Sequence, residues 1–260
     1  MKCRICSNDA PLFQTGVVLK KYTVSFFQCR SCGFMQTEEP YWLPESYAEA
    51  INQSDVGIVD RNVKMAKMTK SIISCYFNAD AKFIDYGGGT GLFVRMMRDY
   101  GFDFYWYDAH CQNVFARGFE ADPQPGTGYE LVTAFEVMEH LADPLPEIER
   151  MLKLTRNVLF TTTLRPRKAP NLDQWWYYEL DHGQHVSFFT FKALAVLAEK
   201  LQLKVYSDGW YLHLLTDKNL SSMGFKLLSL KNKAPYVWRL IFGKKSLIPH
   251  DQKALTGMDL

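Results

Sequence analysis

The sequence predicts an α/β protein in which helices cover both faces of a mostly parallel sheet, with a small cysteine-rich module in front of it. From residue 59 onward, short apolar runs alternate with segments whose apolar residues recur at helical spacing, which is the signature of such a sheet. A glycine-rich turn at residues 87–91 joins one such run to the next helix. Before residue 38, two Cys-x-x-Cys pairs flank an alternating stretch, 22–27, that is typical of a strand.

Length and composition limit the classes of protein that this chain can represent. The 260 residues, 47% of them hydrophobic, can bury one substantial core and a small additional module. The formal net charge of +2 gives no electrostatic footprint for nucleic acid, so no nucleic-acid partner is expected. The N-terminus has no apolar segment of signal-peptide length, and no run is long enough to span a membrane. We therefore expect a cytoplasmic protein; the sequence leaves its oligomeric state open.

The order of the predicted elements follows from periodicity and turn residues. Helices are predicted at 59–77, 92–97, 111–119, 144–153 and 191–200, and strands at 82–86, 104–107, 129–135, 157–162 and 185–189, with a hairpin over 203–216. Thr190 is the expected N-cap of the last helix. We place the cysteine module at 1–37, a linker at 38–58, the α/β domain at 59–217, and a basic, aromatic tail, expected to be partly helical, at 218–260.

The turn Asp85-Tyr86-Gly87-Gly88-Gly89-Thr90-Gly91 has the composition of a cofactor-binding loop. Glycines allow the backbone to approach a ligand closely, and Asp108, at the end of the next strand, offers a carboxylate to the two hydroxyls of a ribose. A tight turn without a ligand is the simpler alternative. A dinucleotide is disfavoured because the spacing is D-x-G-x-G-x-G rather than G-x-G-x-x-G.

These residues, together with the segment 135–144 (Phe-Glu-Val-Met-Glu-His-Leu-Ala-Asp-Pro), resemble the class I S-adenosylmethionine-dependent methyltransferases, which have a Rossmann-like fold. The resemblance covers roughly residues 60–215 and is closest to the ubiquinone-methylase-like branch in the segment 135–144. It implies that the cofactor is S-adenosylmethionine, bound by the turn residues Asp85, Gly87, Gly89 and Gly91, by Asp108 at the ribose, and by Phe135 and Glu136. By the same likeness, Asp122 lies near the expected adenine contact.

The pair Glu139-His140 has two interpretations of equal standing at this stage. It can form a capped, solvated turn, since charged residues are usual at the ends of elements, or it can contact a ligand directly.

The cysteine pairs Cys3-Cys6 and Cys29-Cys32 have the spacing of a structural zinc site. Four thiolates leave no open coordination position, so we expect the ion to fold the module and not to take part in chemistry. Cys75 and Cys111 are expected to be small buried apolar residues. The module resembles the zinc-binding N-terminal domain of a group of sugar C-methyltransferases, in which it packs on the catalytic domain and helps to close the substrate pocket. Zinc ribbons also bind nucleic acids and proteins.

Candidate acceptor-side residues cluster between 175 and 185. The segment 185–190 (His-Val-Ser-Phe-Phe-Thr) resembles a motif of methyltransferases that act on sugars and related small molecules. His185 is the first candidate for a general base and His182 the second; a structural role for His185 is the alternative. Gln184 replaces the glutamate of the Glu-His pair in the sugar C-methyltransferases, and an amide cannot take a proton. The aromatic residues of 175–178 either stack on a substrate ring or cover the core.

Taken together, the sequence predicts an enzyme that methylates a small molecule, with a sugar hydroxyl in a nucleotide-linked or surface-glycan precursor as the favoured acceptor. C-methylation of a keto sugar is the second hypothesis. A third, from another class, is a zinc-ribbon binding protein in which the methyltransferase fold serves another purpose.

Overall fold

The computed structural model describes residues 1–48, 56–229, 247, 250, 251 and 253. Within these residues the strands are β1 (Leu12–Val18), β2 (Tyr22–Gln28), β3 (Met35–Thr37), β4 (Lys82–Tyr86), β5 (Asp103–Tyr107), β6 (Tyr129–Ala134), β7 (Val158–Thr161), β8 (Ser187–Phe188), β9 (Lys204–Ser207) and β10 (Leu212–Thr216). The α-helices are α1 (Leu43–Ser46), α2 (Ile58–Tyr76), α3 (Leu92–Asp99), α4 (Pro144–Leu152), α5 (Phe191–Lys200) and α6 (Ser222–Ser229). Short 3-10 helices occupy Met138–His140 and Trp176–Tyr178.

The larger sheet confirms the predicted α/β class. Its six strands lie in the order β5-β4-β6-β7-β10-β9. The first four are parallel, whereas β10 runs antiparallel to both of its neighbours. Because the parallel strands β4, β5 and β6 are adjacent, their carboxyl ends open on the same edge of the sheet, where ligands bind in this class of fold.

Helices cover both faces of this sheet, and each face has its own apolar core. On one face, α2, α3 and α6 bury side chains against the sheet, among them Ile72, Val94, Met97 and Phe225. On the other face α4 and α5 do the same, with Ile148, Met151, Leu194 and Leu197. The predicted cap of α5 is confirmed, since the Thr190 hydroxyl accepts a hydrogen bond from the amide of Ala193 at 3.0 Å.

The smaller sheet joins the N-terminal segment to a strand of the α/β domain. It is antiparallel in the order β1-β2-β3-β8, so strands from the cysteine-rich segment pair with a strand that lies beyond β7 in the chain. Met35 stands opposite Phe188, and Gln36 stands opposite Ser187. The predicted strand at 185–189 therefore forms, in a shorter version, as an edge of this second sheet and not of the larger one.

The helix predicted for residues 111–119 is wrong, because these residues form bends and turns. The amides of Val114 and Phe115 donate to the carbonyl of Thr90 at 2.9 and 3.0 Å, and the Asn113 side chain accepts from the amide of Ala116. The backbone amides that a helix would need thus donate to the glycine turn and to the Asn113 side chain instead. These hydrogen bonds compete with helix formation.

Most of the tail lies outside the described residues, as do residues 49–55 of the predicted linker. Within the described part, Ser222–Ser229 is helical, and Asp251 forms a bidentate pair with Arg98, whose side chain is buried, at 2.8 and 2.9 Å. None of the described helices has the length and apolar character needed to cross a membrane.

Candidate active site

A large cleft opens at the carboxyl ends of β4, β5 and β6. Residues 87–90 of the glycine turn line it, and so do Asp85, Asp108, Phe135 and Glu136. The structure therefore brings together the residues that the sequence suggested for cofactor binding, except Gly91, which lies against Asn113 and Ala116. The histidines His182 and His185 line the same cleft.

The glycine turn has a conformation that explains its composition. Gly87, Gly89 and Gly91 have φ values of +75°, +54° and +82°, the left-handed region in which a side chain is strained. A Cβ on Gly91 would lie 2.6 Å from Oδ1 of Asn113, whereas a Cβ on Gly89 would meet nothing within 4 Å. The backbone at Gly89 therefore faces open space in the cleft, which is the room that a bound cofactor requires.

Asp108 holds this turn and the following loop in place. Its Oδ2 accepts from the amide of Gly89 at 2.8 Å, and its Oδ1 accepts from the amides of His110 and Cys111 at 2.7 and 2.8 Å. A carboxylate has about four lone-pair positions and these amides occupy three of them, so one position remains for a ribose hydroxyl. The geometry fits the adenosine part of S-adenosylmethionine.

Asp85 lies beneath the turn and is almost completely buried. The Thr133 hydroxyl donates to its Oδ1 at 2.6 Å. Burial raises the pKa of Asp85 to about 7, with a smaller contribution from the charge of Asp108. This hydrogen bond joins the end of β4 to β6 next to the turn.

Glu136 lies at the end of β6 in an unusual backbone conformation. Its φ of +54° is in the left-handed region. Its Oε1 accepts from the hydroxyls of Tyr211 and Thr161 at 2.7 and 2.8 Å, and the Arg61 guanidinium lies 3.7 Å from Oε2. The carboxylate is thus fixed at the cleft wall by three side chains from separate elements.

Phe135 and Asp122 have different surroundings. Phe135 is half-buried, and its ring packs edge-on against Phe93 with centroids 4.9 Å apart. Asp122 is exposed and accepts from the side chain of Gln124. Its neighbour Pro123 lines the cleft, but Asp122 itself does not.

Glu139 is completely buried, so the interpretation of Glu139-His140 as a solvated turn is wrong. Neither carboxylate oxygen has a hydrogen-bond partner among the described residues. Burial, reinforced by the charge of Glu136, raises the pKa of Glu139 well above its ordinary value, against an opposing effect of Tyr177 and Thr162. An unpartnered carboxylate in this position is costly, which points to a function.

The structure fixes the orientation of His185. Its Nδ1 lies 2.7 Å from the carbonyl oxygen of Tyr177, so Nδ1 carries the proton and donates it. Nε2 then keeps a lone pair and lies 3.5 Å from Oε2 of Glu179. Burial, with the nearby His140, lowers the pKa of His185 well below its ordinary value. The ring is therefore neutral at pH 7.

Gln184 and His182, which lie near His185 in sequence, have different surroundings. The Gln184 amide is buried and donates to the carbonyl of Ser46 at 2.8 Å, so it supports the backbone of the first helix. His182 is half-buried and lines the cleft.

The aromatic segment 175–178 divides between the two expected roles. Trp175, Tyr177 and Tyr178 are buried and pack with Phe26 and Phe188 in the core beneath the smaller sheet. Trp176 is 68% exposed and lines the cleft. Three rings therefore stabilise the fold, and one ring is available to a ligand.

The four cysteines of the N-terminal pairs form a compact cluster. Their sulfur atoms lie within 4.8 Å of one another, with Cys3 and Cys32 at 3.6 Å and Cys6 and Cys29 at 3.3 Å. Sulfurs around a tetrahedral zinc ion are about 3.8 Å apart, given a Zn–S distance of about 2.3 Å. The donor set and the spacing fit zinc. Cys75 and Cys111 are half-buried and lie outside this cluster.

Several residues of the cleft could not be recognised as site residues from the sequence. Tyr211 belongs to the terminal hairpin and Arg61 to the start of α2, and each contacts Glu136. Tyr47, which follows α1, stacks on His110 with ring centroids 5.1 Å apart. Glu179 directly follows the aromatic segment 175–178, but only the fold places it beside His185. No local pattern marks such residues, because their partners are distant in sequence.

The fold and the glycine turn define a methyltransferase of class I, the class that uses S-adenosylmethionine. The chain belongs to the family described as methyltransferase domain, whose model matches residues 61–208, more than half of the sequence. Among curated proteins, no relative matches the chain.

Solved structures with similar folds include several methyltransferases. OxaC with bound SAH and oxaline is 17% identical, with 68% of this chain and 51% of OxaC covered and a TM-score of 0.47. The plantazolicin methyltransferase BpumL with SAH is 11% identical, with coverages of 69% and 95% and a TM-score of 0.48. The mitomycin 7-O-methyltransferase MmcR is 12% identical, with coverages of 67% and 60% and a TM-score of 0.43. The match spans little more than half the length of TnmH (57%) and OxaC (51%).

Proposed function

We propose that this protein transfers the methyl group of S-adenosylmethionine to a hydroxyl of a small molecule, with a carbohydrate as the favoured acceptor. One observation carries the proposal: the Gly89 backbone, the His185 ring and the exposed Trp176 ring line the same cleft. An indole face suits the apolar face of a sugar ring. The resemblance of the segment 185–190 to sugar methyltransferases supports the same acceptor class.

On the cofactor side, the glycine turn would pass along the methionine and ribose, and Asp108 would accept a hydrogen bond from a ribose hydroxyl. Phe135 and Glu136 would flank the cofactor at the end of β6. S-adenosylmethionine supplies an electrophilic methyl group on a sulfonium when it is bound. The residues around it contribute mainly alignment of the donor with the acceptor oxygen, which is a proximity effect.

On the acceptor side, the lone pair at Nε2 of His185 would receive the hydroxyl proton as the oxygen–methyl bond forms and the sulfur–methyl bond breaks. His182 is the second candidate for this role. The low pKa of His185 makes it a weak base, although it keeps the ring neutral and able to accept a proton at pH 7. Glu179, 3.5 Å from Nε2, would stabilise the imidazolium that results.

The cysteine cluster would hold a structural zinc ion with Cys3, Cys6, Cys29 and Cys32 as its ligands. The pairing of β3 with β8 supports a role for this module beside the acceptor region, because β8 begins two residues after His185.

C-methylation of a keto sugar is a second candidate that one observation favours. Glu139 lies within 4.8 Å of His185, so a glutamate does stand beside the histidine, although position 184 is a glutamine. C-methylation requires removal of a substrate C–H proton. If the original chain exchanges that proton with deuterated solvent and the variant His185→Gln does not, the result would support C-methylation over O-methylation.

Isothermal titration calorimetry of the zinc-loaded protein with S-adenosylhomocysteine, and with NAD as the control, tests the central claim. We expect micromolar binding of the first and no binding of the second. Binding of NAD alone, or of neither compound, would refute the cofactor assignment and favour the binding-protein hypothesis.

A further inference from the structure

A second cluster of metal-ligand residues lies beside the cleft, apart from the cysteines. One ligand atom each of Glu139, His140 and His185 lies within 4.8 Å of the others. Glu139 and His140 belong to the 3-10 helix after β6, and His185 comes just before β8. The backbone amide of Val186 donates to the carbonyl of Glu139 at 2.8 Å and joins the two segments.

Both histidines are held in the way that metal-binding histidines usually are. Nδ1 of His140 lies 3.2 Å from the carbonyl of Gln184, and Nδ1 of His185 lies 2.7 Å from that of Tyr177. A ring that donates from Nδ1 to a carbonyl keeps its lone pair at Nε2, and this second contact orients the ring for a metal. The two rings are perpendicular neighbours with centroids 4.9 Å apart.

The third member, Glu139, has no other partner that explains its position. It is completely buried, and both of its oxygens lack a hydrogen bond among the described residues. The nearby Tyr177 hydroxyl is engaged with the Thr163 amide at 3.0 Å and with the Thr162 hydroxyl at 3.3 Å. Burying such a carboxylate costs free energy unless a positive charge or a donor compensates it.

The cluster therefore consists of acceptors that face one another. One ring nitrogen of each histidine and one oxygen of Glu139 lie within 4.8 Å of one another, and each ring donates from Nδ1 to a carbonyl. No hydrogen lies between these atoms when the rings are neutral and Glu139 is ionised. A cation is the species that satisfies all of them at once.

We propose that Glu139, His140 and His185 bind a divalent first-row metal ion. Two imidazoles and one carboxylate form a site with open coordination positions that suits ions such as Mn²⁺, Fe²⁺ or Zn²⁺. His140 and His185 line the cleft whereas Glu139 lies behind them, so the open positions face the acceptor region. If the proposed methyl transfer holds, these positions would take the acceptor oxygen. With the ion bound, His185 would act as a ligand, the ion would lower the pKa of the acceptor hydroxyl, and the hydroxyl proton would pass to His182, the second candidate base.

Mn²⁺ titration followed by electron paramagnetic resonance tests the site without any need for activity. The full chain, with zinc in its cysteine cluster, is titrated with Mn²⁺, and the signal of free Mn²⁺ is measured. We expect one ion to bind per chain, and Glu139→Gln and His140→Gln to weaken binding by about tenfold or more. Glu149→Gln, a change at an exposed glutamate of α4, is the matched control and should bind like the original chain.

Titration with S-adenosylhomocysteine on the same samples separates this proposal from the proposed function and verifies folding. Mn²⁺ binding without cofactor binding would leave the metal site standing and overturn the cofactor assignment. If the cofactor binds but no Mn²⁺ binds at millimolar concentration, the metal site is overturned. The same holds if all variants bind Mn²⁺ equally. Glu139 would then be a buried neutral acid.

Discussion

At the scale of single residues, Glu136 is a strained position of the cleft wall. The left-handed backbone conformation is less favourable for a non-glycine residue by about 1 kcal/mol or more. Glu136, with a φ of +54°, has this conformation. Its amide donates to the Thr161 hydroxyl, which in turn donates to its carboxylate. These contacts hold the strained conformation and direct the carboxylate, and they explain why the strand ends at Ala134 instead of Phe135.

Asp108→Asn tests the ribose contact. We expect S-adenosylhomocysteine to bind about 30-fold more weakly, because loss of a charged acceptor costs about 2 kcal/mol. Asparagine keeps an oxygen for the loop amides, so the fold should remain. Asp173→Asn, at an exposed position, serves as the control; equal affinity for the two variants in calorimetry would remove Asp108 from the site.

Asp85 should make stability depend on pH. Its pKa is about 7 in the folded chain and 3.8 as a free side chain, so between these values the folded state holds a proton that the unfolded state has lost. The contribution is fully present below pH 3.8 and is lost as the pH rises to about 7. A shift of about three units corresponds to about 4 kcal/mol. Urea unfolding at pH 5 and pH 8 covers about two of these units, so the free energy of unfolding should fall by about 3 kcal/mol. Asp85→Asn should reduce this decrease; an unchanged pH dependence in the variant contradicts the assignment.

At the scale of elements, the glycine turn and the loop after β5 form one unit. Asn113 contacts the turn closely enough that a Cβ on Gly91 would clash with it, and the loop amides donate to Thr90. The sequence predicted the turn from its own composition. The helix predicted for the loop at 111–119 was wrong because the apolar residues of the loop have a spacing that is compatible with a helix. The competing hydrogen-bond partners come from the nearby turn, which the loop's own sequence does not reveal.

Thr190 links helix α5 to the cysteine cluster. Its hydroxyl accepts from Ala193 and donates to the carbonyl of Cys32 at 2.7 Å. Thr190→Ala should lower the free energy of unfolding by about 1 kcal/mol or more, as loss of a cap usually does, and should speed the release of zinc to a chelator. Lys192→Ala, at an exposed position in the same helix, should change neither measurement; equal effects of both variants would show that the cap contributes nothing.

At the scale of the whole molecule, the cysteine module and the methyltransferase domain share both a sheet and a core. Besides the pairing of β3 with β8, the Arg165 side chain donates to the carbonyl of Gly33 at 2.7 Å. Cys3, Cys29 and Phe34 belong to the same apolar cluster as helices α4 and α5. The module therefore supports the segment that holds His185 and Val186.

Cys29→Ser tests this coupling. We expect mass spectrometry under native conditions to show loss of zinc, and hydrogen exchange to show lower protection at β3 and β8, since the ion folds its module. Cys75→Ser, which changes a half-buried cysteine outside the cluster, should keep the zinc and the protection. Loss of zinc with unchanged exchange at β8 would contradict the coupling between module and acceptor region.

The sequence by itself determined the class of fold, the glycine turn with Asp108, and the cysteine pairs, because each of these depends on local spacing or on composition within a few residues. Only the tertiary structure decided that β8 joins the smaller sheet, that Trp176 alone of its segment is exposed, and that Glu139 is buried beside two histidines. Contacts of this kind form between segments far apart in the chain, where burial and hydrogen-bond satisfaction depend on the packing of the complete molecule and leave no periodic pattern.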